Sequence, residues 1–141
     1  MDGKIDIQIL DTPLSLDECY DFATDPLCGS ILLFVGTVRN HNKGKDVLYL
    51  DFETYKPMAL KEMETIAKEC QDQYQIHNIA IHHREGKVNI LSKAVVIAVS
   101  SVHREEGFQA CKYAIDNLKS RVPIWKKEFL LNGSYWVNSR P

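Results

Sequence analysis

Residues 94–122 read AVVIAVSSVHREEGFQACKYAIDNLKSRV, a largely apolar segment followed by a helical pattern. The apolar segment, Ala94–Val102, is typical of a strand that is buried on both faces. A helix is predicted from about Glu105 to Arg121, because apolar residues recur there with helical spacing and Pro123 stops the pattern. Its apolar face consists of Phe108, Cys111, Ala114, Ile115, Leu118 and Val122. A buried strand that leads into an amphipathic helix indicates an α+β protein.

The rest of the chain supplies further strands and two more helices. Ser15 and Glu18 have the spacing of a capping box, which predicts a short helix through about Ala23. Pro57 suits the first turn of a longer helix whose apolar positions run to Tyr74. Strands are predicted at Lys4–Leu10, Ile31–Val35, Val47–Tyr55, Ile76–Arg84, Val88–Leu91, Trp125–Leu131 and Ser134–Val137. We expect Ile31–Val35 to be a central, two-sided buried strand and residues 40–46 to form a mobile loop.

Length and composition limit the kind of protein. The chain has 141 residues, of which 45% are hydrophobic and 26% charged, so one soluble domain (residues 1–141) with a mixed sheet and packed helices is expected. The formal net charge is −2, which argues against coating nucleic acid or an anionic membrane by bulk charge. The charge is unevenly distributed: residues 1–25 hold seven acidic residues and one basic residue, whereas six basic residues oppose two acidic ones from Lys112 onward. A local cationic end of this size suits a small anion.

The cysteines and the N-terminus indicate a reducing compartment. The four cysteines are scattered, with no Cys-x-x-Cys pair and no histidine at zinc-ligand spacing, so neither a structural metal nor a bound cofactor is expected. The N-terminal residues lack a cationic region followed by a long apolar stretch, and no apolar run reaches the ~20 residues of a membrane helix. We therefore expect a cytoplasmic protein that binds no membrane.

Two predicted buried strands end in basic side chains, Arg39 after the first and His103-Arg104 after the second. Strand ends that feed loops or helices often build sites, and a position just before a helix favours an anion. The simpler alternative is that Arg39 and Arg104 are surface residues that pair with nearby glutamates.

Lys119 lies at the margin of the predicted helix's apolar face, where its ammonium group would be partly desolvated or its stem would run along the core. Lys126 and Lys127 follow on a predicted strand and must point to opposite faces, so only one of them can share a pocket with Lys119. The alternative for this pair is a solvated cationic edge strand.

Several segments resemble the catalytic (large) subunit family of molybdopterin synthase, the MoaE-like family. The segments are Phe34-Val35-Gly36-Thr37-Val38-Arg39, Tyr55-Lys56-Pro57-Met58-Ala59, His103-Arg104, Ala114-Ile115-Asp116-Asn117-Leu118-Lys119 and Val122-Pro123-Ile124-Trp125-Lys126-Lys127-Glu128. The resemblance covers residues 29–137 as the family core and leaves residues 1–28 as an acidic N-terminal strand and helix. Two positions depart from it: Ser92-Lys93 replaces the more usual Gly-Glu of a turn, and Gly107 replaces alanine.

The resemblance implies an α/β hammerhead-like fold and a sulfurtransferase. The chain would form a homodimer that binds two small ubiquitin-like sulfur-carrier subunits, giving a heterotetramer. The C-terminal Gly-Gly thiocarboxylate of each carrier would supply sulfur to cyclic pyranopterin monophosphate, which forms the dithiolene of molybdopterin during molybdenum cofactor biosynthesis. The resemblance assigns catalysis to Lys119 and Lys126, and a role in substrate binding to these two and to Thr37, Val38, Arg39, His103, Arg104, Lys127 and Glu128.

Two other functions are compatible with the basic residues. A non-catalytic module that binds a carrier protein or a phosphorylated ligand would use the same positions and would form no dithiolene. An RNA-binding domain would show a steep salt dependence, and both the net charge and the absence of aromatic residues interleaved with basic ones argue against it.

Overall fold

The structure is a computed structural model that describes residues 3–138, so Arg140 of the cationic end lies outside the described part. That part contains nine strands and three helices. The strands are β1 (Ile5–Leu10), β2 (Ser30–Thr37), β3 (His41–Asn42), β4 (Lys45–Thr54), β5 (Ile76–Arg84), β6 (Gly86–Asn89), β7 (Lys93–Ser101), β8 (Ile124–Leu130) and β9 (Tyr135–Asn138). The helices are α1 (Leu16–Ala23), α2 (Lys56–Gln73) and α3 (Arg104–Arg121). The predicted α+β class is therefore confirmed.

The first sheet has the strand order β1-β5-β7-β2 and is built around the apolar segment of β7. β1 runs parallel to β5, whereas β5 and β2 both run antiparallel to β7. Alternate residues of β7 enter different cores: Val95, Ile97 and Val99 face α2 and α3, and Val96 and Ala98 face α1. Because a strand alternates its side chains, one apolar run serves both faces of the sheet.

The helices cover the two faces of this sheet as their apolar patterns require. α1 begins at the predicted N-cap Ser15, whose hydroxyl oxygen accepts a hydrogen bond from the Glu18 N–H at 3.1 Å. Pro57 stands in the first turn of α2, where its missing N–H leaves no hydrogen bond unmade. Arg121 joins α3 to α2, because its guanidinium contacts the carboxylates of Glu62 and Glu69, each at 2.6 Å.

The prediction that Ile31–Val35 is a central strand is wrong. β2 lies at one edge of the first sheet and, among residues 3–138, pairs with β7 alone. Its residues are only partly buried, and Leu33 is 40% exposed. Phe108, which we expected on the apolar face of its helix, is 57% exposed. An apolar sequence pattern predicts that a surface is buried, but part of the apolar surface of β2 and α3 is exposed in this chain.

The second sheet contains β3, β4, β8 and β9, with β6 paired to β4. β6 therefore forms no hairpin with β5, because Gly86 at φ +82° turns the chain away toward β4. Residues 40–46, predicted to be a mobile loop, contain the β3–β4 hairpin, whose turn places Lys43 and Gly44 at positive φ. Within the described part of the chain, no helix is both long and apolar enough to cross a membrane.

We predict that S15A lowers the free energy of unfolding by about 1 kcal/mol, because it removes the side-chain acceptor for the Glu18 N–H. Urea denaturation followed by circular dichroism measures the change. The matched variant S15D restores an acceptor and adds a negative charge at the helix N-terminus, so its stability should equal or exceed that of the parent. Equal stability of S15A and the parent would contradict the capping role.

Candidate active site

A small cavity of about 120 Å³ lies where the first sheet, the second sheet and the end of α3 meet. Its wall is mostly apolar, and its polar side chains are two amines, one imidazole and one hydroxyl group. The lining residues are Phe34, Gly36, Thr37, Leu50, Phe52, His83, Ala94, Val95, Ile115, Leu118, Lys119 and Lys126. Lys119 and Lys126 therefore lie on one cavity, although they come from different elements.

The pairing of β8 with β4 decides which of the two adjacent lysines faces this cavity. Lys126 lies opposite the buried Phe52, and residues directly opposite each other on antiparallel strands share a face of the sheet. Lys127 lies opposite Asp51 on the other face, where its ammonium contacts the Glu53 carboxylate at 2.7 Å. Lys126 thus joins Lys119, and Lys127 does not share their cavity.

A buried carboxylate lies beside Lys126. Glu128 is 1% exposed, and one of its oxygens is 4.0 Å from the Lys126 ammonium nitrogen. The Asn42 side-chain amide donates to both Glu128 oxygens, at 2.8 and 3.0 Å. Both Asn42 and Glu128 line a second cavity of about 80 Å³, together with Thr37, Arg39, His41, Val47, Leu50 and Lys126. The β3–β4 hairpin therefore holds the carboxylate that faces the lysine.

Burial lowers the pKa of Lys126 below its ordinary value of 10.5. The Glu128 carboxylate opposes this shift, whereas the positive charges of Lys119, Arg39 and Lys43 add to it. The ammonium group of Lys126 is consequently a stronger acid than that of an exposed lysine, and it gives up a proton more readily. Lys127 shows the opposite direction, because its hydrogen bond and charge contact with Glu53 raise its pKa.

His83 also lines the cavity, and sequence reasoning missed it. It is buried, its ring packs edge-on against Phe52, and desolvation lowers its pKa to about 4. Its Nδ1 lies 2.7 Å from the Arg84 carbonyl oxygen. Only a protonated nitrogen can donate to a carbonyl, so in the neutral ring Nε2 is an acceptor. The strand alternation that puts Ile79 and Ile81 on the inner face already places His83 there, and His82 on the other.

The remaining predicted site residues are dispersed. Arg39 is exposed and lines the second cavity. The Val38 side chain is buried in the core. The Val38 N–H donates to the Ser92 carbonyl, and the Val38 carbonyl accepts from the Leu91 N–H. His103 and Arg104 lie at the other end of the first sheet, because β2 and β7 run antiparallel. Ser30 and Thr37 are the two ends of β2, seven residues apart, and the strand between them spans roughly 23 Å. Within one chain, His103 and Arg104 are therefore far from the two lysines.

Fold and site together define an α+β protein with two lysines on a small, apolar-walled pocket. A protein-family model described as "MoaE protein" matches residues 9–121. The molybdopterin synthase catalytic subunit 1 of Mycobacterium tuberculosis is 43% identical over 134 residues, which cover 95% of this chain and 91% of that protein. The human molybdopterin synthase catalytic subunit is 44% identical over 127 residues, covering 90% and 68%. The chain belongs to the MoaE family of molybdopterin synthase catalytic subunits.

Solved structures agree with this assignment. Molybdopterin synthase from Staphylococcus aureus superposes with a TM-score of 0.86 at 35% identity, covering 92% of this chain and 94% of that one. The MoaE protein of Burkholderia ambifaria gives a TM-score of 0.80 at 32% identity and covers 100% and 92%. A complex of subunits 1 and 2 of molybdopterin-converting factor from Helicobacter pylori, 21% identical with a TM-score of 0.75, shares the fold.

We predict that Lys126 titrates at a lower pH than Lys127 when both side chains are followed by NMR of their labelled ε-carbons. The reason is that burial lowers the pKa of Lys126, whereas Glu53 raises that of Lys127. E128Q removes the carboxylate that stabilises the ammonium form, so the Lys126 pKa should fall further while the Lys127 pKa stays unchanged. A Lys126 midpoint at or above that of Lys127 would refute this description of the site.

We predict that N42A lowers the free energy of unfolding by about 2 kcal/mol, because it removes two hydrogen bonds to a buried carboxylate. Asn40 provides a matched control from the same segment, since its side chain is exposed. N40A should change stability by no more than about 0.5 kcal/mol. Chemical denaturation of both variants makes the comparison, and equal effects would show that Asn42 does not hold Glu128.

Proposed function

We propose that this chain catalyses sulfur transfer from the C-terminal thiocarboxylate of a small ubiquitin-like carrier subunit to cyclic pyranopterin monophosphate, as the catalytic subunit of molybdopterin synthase. The observation that carries the proposal is the convergence of Lys119 and Lys126 on one apolar-walled cavity. Membership of the MoaE family supports it, and the relatives' description as catalytic subunits implies a second kind of subunit.

The charges of the pocket suit two small anions. The pterin substrate carries a cyclic phosphate and the carrier tail ends in a thiocarboxylate. Arg39, Lys119 and Lys126 are positive groups that line the two adjoining cavities, and an arginine can contact a phosphate through two parallel hydrogen bonds. Glu128 offsets part of this charge, so the lysines can approach each other without an anion bound.

The chemistry is a nucleophilic substitution followed by hydrolysis. The thiocarboxylate sulfur forms a bond to a carbon of the pterin substrate while the bond from that carbon to a cyclic-phosphate oxygen breaks, so the phosphate stays on the substrate as a monoester. The product is a thioester that links carrier and substrate through sulfur. Water then breaks the bond between the carbonyl carbon and sulfur, so the carrier leaves as a carboxylate and the substrate keeps the sulfur as a thiolate. A second carrier repeats the transfer at the adjacent carbon, whose oxygen leaves as water, and hydrolysis of the second thioester completes the dithiolene without any change of oxidation state.

The two lysines divide the proton transfers and charge stabilisation that these steps need. We assign Lys126 to the carbonyl of the acyl intermediate, because its acidified ammonium group is well suited to stabilise the negative charge that develops on that oxygen. We assign Lys119, which is exposed on the last turn of α3, to acid–base transfer or to temporary acceptance of the acyl group. Thr37 lies on both cavities and completes the substrate-binding set.

We further propose that the working assembly is a homodimer of this chain with one carrier bound to each copy. His103 and Arg104 cannot reach the lysines of their own chain, so their assignment to substrate binding requires that they act in the pocket of the second copy. The Lys127 side chain lies on the outer face of the second sheet, so we propose that it contacts only a part of the substrate that extends outside the two cavities. We also propose a cytoplasmic location, because a thiocarboxylate and four free cysteines suit a reducing compartment.

We predict that K119A lowers the rate of dithiolene formation at least about 100-fold, which is the lower range for loss of a general acid–base group. The assay combines purified protein, thiocarboxylated carrier and cyclic pyranopterin monophosphate. K112A is the matched control, because Lys112 is an exposed lysine on the same helix that pairs with Asp116 at 2.6 Å and lies off both cavities. Its rate should equal that of the parent.

Carrier binding must be measured alongside the rate, by calorimetry or gel filtration. A K119A protein that binds carrier normally and still forms dithiolene at the parent rate would overturn the assignment of Lys119. A parent protein that binds carrier and forms no dithiolene would instead support the non-catalytic carrier-binding scaffold.

A further inference from the structure

Three side chains with metal-binding donor atoms meet far from the two lysines. Asp25 and Cys28 lie on the connection between α1 and β2, and His77 lies at the start of β5. One carboxylate oxygen of Asp25, the Cys28 sulfur and a ring nitrogen of His77 all lie within 4.8 Å of one another. The sequence prediction of no metal rested on the absence of paired cysteines, and this cluster contains only one cysteine.

The spacing of these atoms is close to what tetrahedral zinc needs. Zinc bonds of about 2.0 Å to oxygen and nitrogen place those two ligand atoms about 3.3 Å apart in a tetrahedron. The Asp25 Oδ2 and His77 Nδ1 atoms are 3.2 Å apart. With a zinc–sulfur bond of about 2.3 Å, the sulfur belongs about 3.5 Å from each of them. From its position within 4.8 Å, the Cys28 sulfur reaches that distance by a movement of little more than 1 Å.

The local backbone holds the ligands in place. The Cys28 N–H donates to the Asp25 carbonyl at 3.0 Å, which closes a turn that brings both side chains together. The Leu27 N–H donates to Asp25 Oδ1 at 2.8 Å, so Oδ2 is the oxygen directed at His77. The His77 side chain is 5% exposed and that of Asp25 is 23% exposed. The site therefore has one buried side, formed by His77, and one side that is partly open to solvent.

We propose that Asp25, Cys28 and His77 form a zinc site with three protein ligands and a fourth position for water. Coordination replaces the present contact between His77 and Asp25, with the imidazole neutral and the cysteine as its thiolate. The metal joins the α1–β2 connection to the first residues of β5, next to the point where the Gly29 N–H donates to the Val102 carbonyl. Within its own chain the site lies at the end of the sheet opposite the cavity of Lys126, where Ile76 pairs with Ser101, so the metal contacts neither lysine of that chain.

Titration of the metal-free protein with Co²⁺ and then Zn²⁺ tests the proposal. We expect one Co²⁺ per chain, with a thiolate-to-metal charge-transfer band in the near ultraviolet that Zn²⁺ abolishes by displacement. C28S should remove the band, and D25N should weaken Co²⁺ affinity at least about tenfold. C111S is the matched control, because Cys111 is a buried cysteine on α3, outside the cluster, and it should leave the titration unchanged.

Thermal unfolding gives a second readout that does not depend on cobalt. Zinc at a hundredfold excess over its dissociation constant should raise the Tm of the parent by roughly 5–10 °C. C28S should show no such rise. Substoichiometric Co²⁺ binding without the band, or binding that C28S leaves unchanged, would identify an adventitious ion only and overturn the proposal. Neither readout involves dithiolene formation, so the result is independent of the proposed function.

Discussion

The pairing of Phe52 with Lys126 across β4 and β8 determines where the charges of the pocket lie. A shift of one residue in this register would turn Lys127 and Phe129 inward and move Lys126 and Glu128 to the outer face. The native register is favoured on both faces, because Phe52 is buried inside while Tyr49 and Phe129 stack at 4.5 Å outside. The aromatic packing of the second sheet thus keeps Lys126 on the inner face, where burial of its charge is by itself unfavourable.

The second constraint is the direction of the strands in the first sheet. β2 and β7 are antiparallel, so the residues that follow them emerge at opposite ends. Arg39 follows β2 toward the cavity, whereas His103 and Arg104 follow β7 toward the start of β5. In one chain, Lys119 and Lys126 therefore lie near one end of the first sheet, and His103 and Arg104 lie at the other end. This separation makes a second copy of the chain a requirement for any site that uses all of these residues.

Much of the fold could be predicted from the sequence, because its signals are local. The Ser15 cap, the position of Pro57 and the apolar run of β7 each depend on a few neighbouring residues. The edge position of β2 and the pairing of β6 with β4 depend on distant segments, and no local pattern reports them. The same limit applies to the site: alternation showed that only one of Lys126 and Lys127 could join Lys119, and register decided which. Asn42 was missed because its role comes from its contact with Glu128, which is distant in the sequence. His83 was missed although strand alternation places it on the inner face with Ile79 and Ile81.

Gly107 illustrates how a local cost can serve the packing of a helix. Glycine within a helix is unfavourable by about 1 kcal/mol relative to alanine. A Cβ atom at Gly107, however, would lie 2.4 Å from Leu32 Cδ2 and 2.7 Å from the Ser101 hydroxyl oxygen. That hydroxyl group donates to the His103 carbonyl at 2.7 Å, so it is not free to move aside. The missing side chain allows the first turns of α3 to approach β2 and β7 closely. The last turn of α3, where Lys119 meets the cavity, is held by its own contacts, the buried Leu118 and the ion pairs of Arg121 with α2.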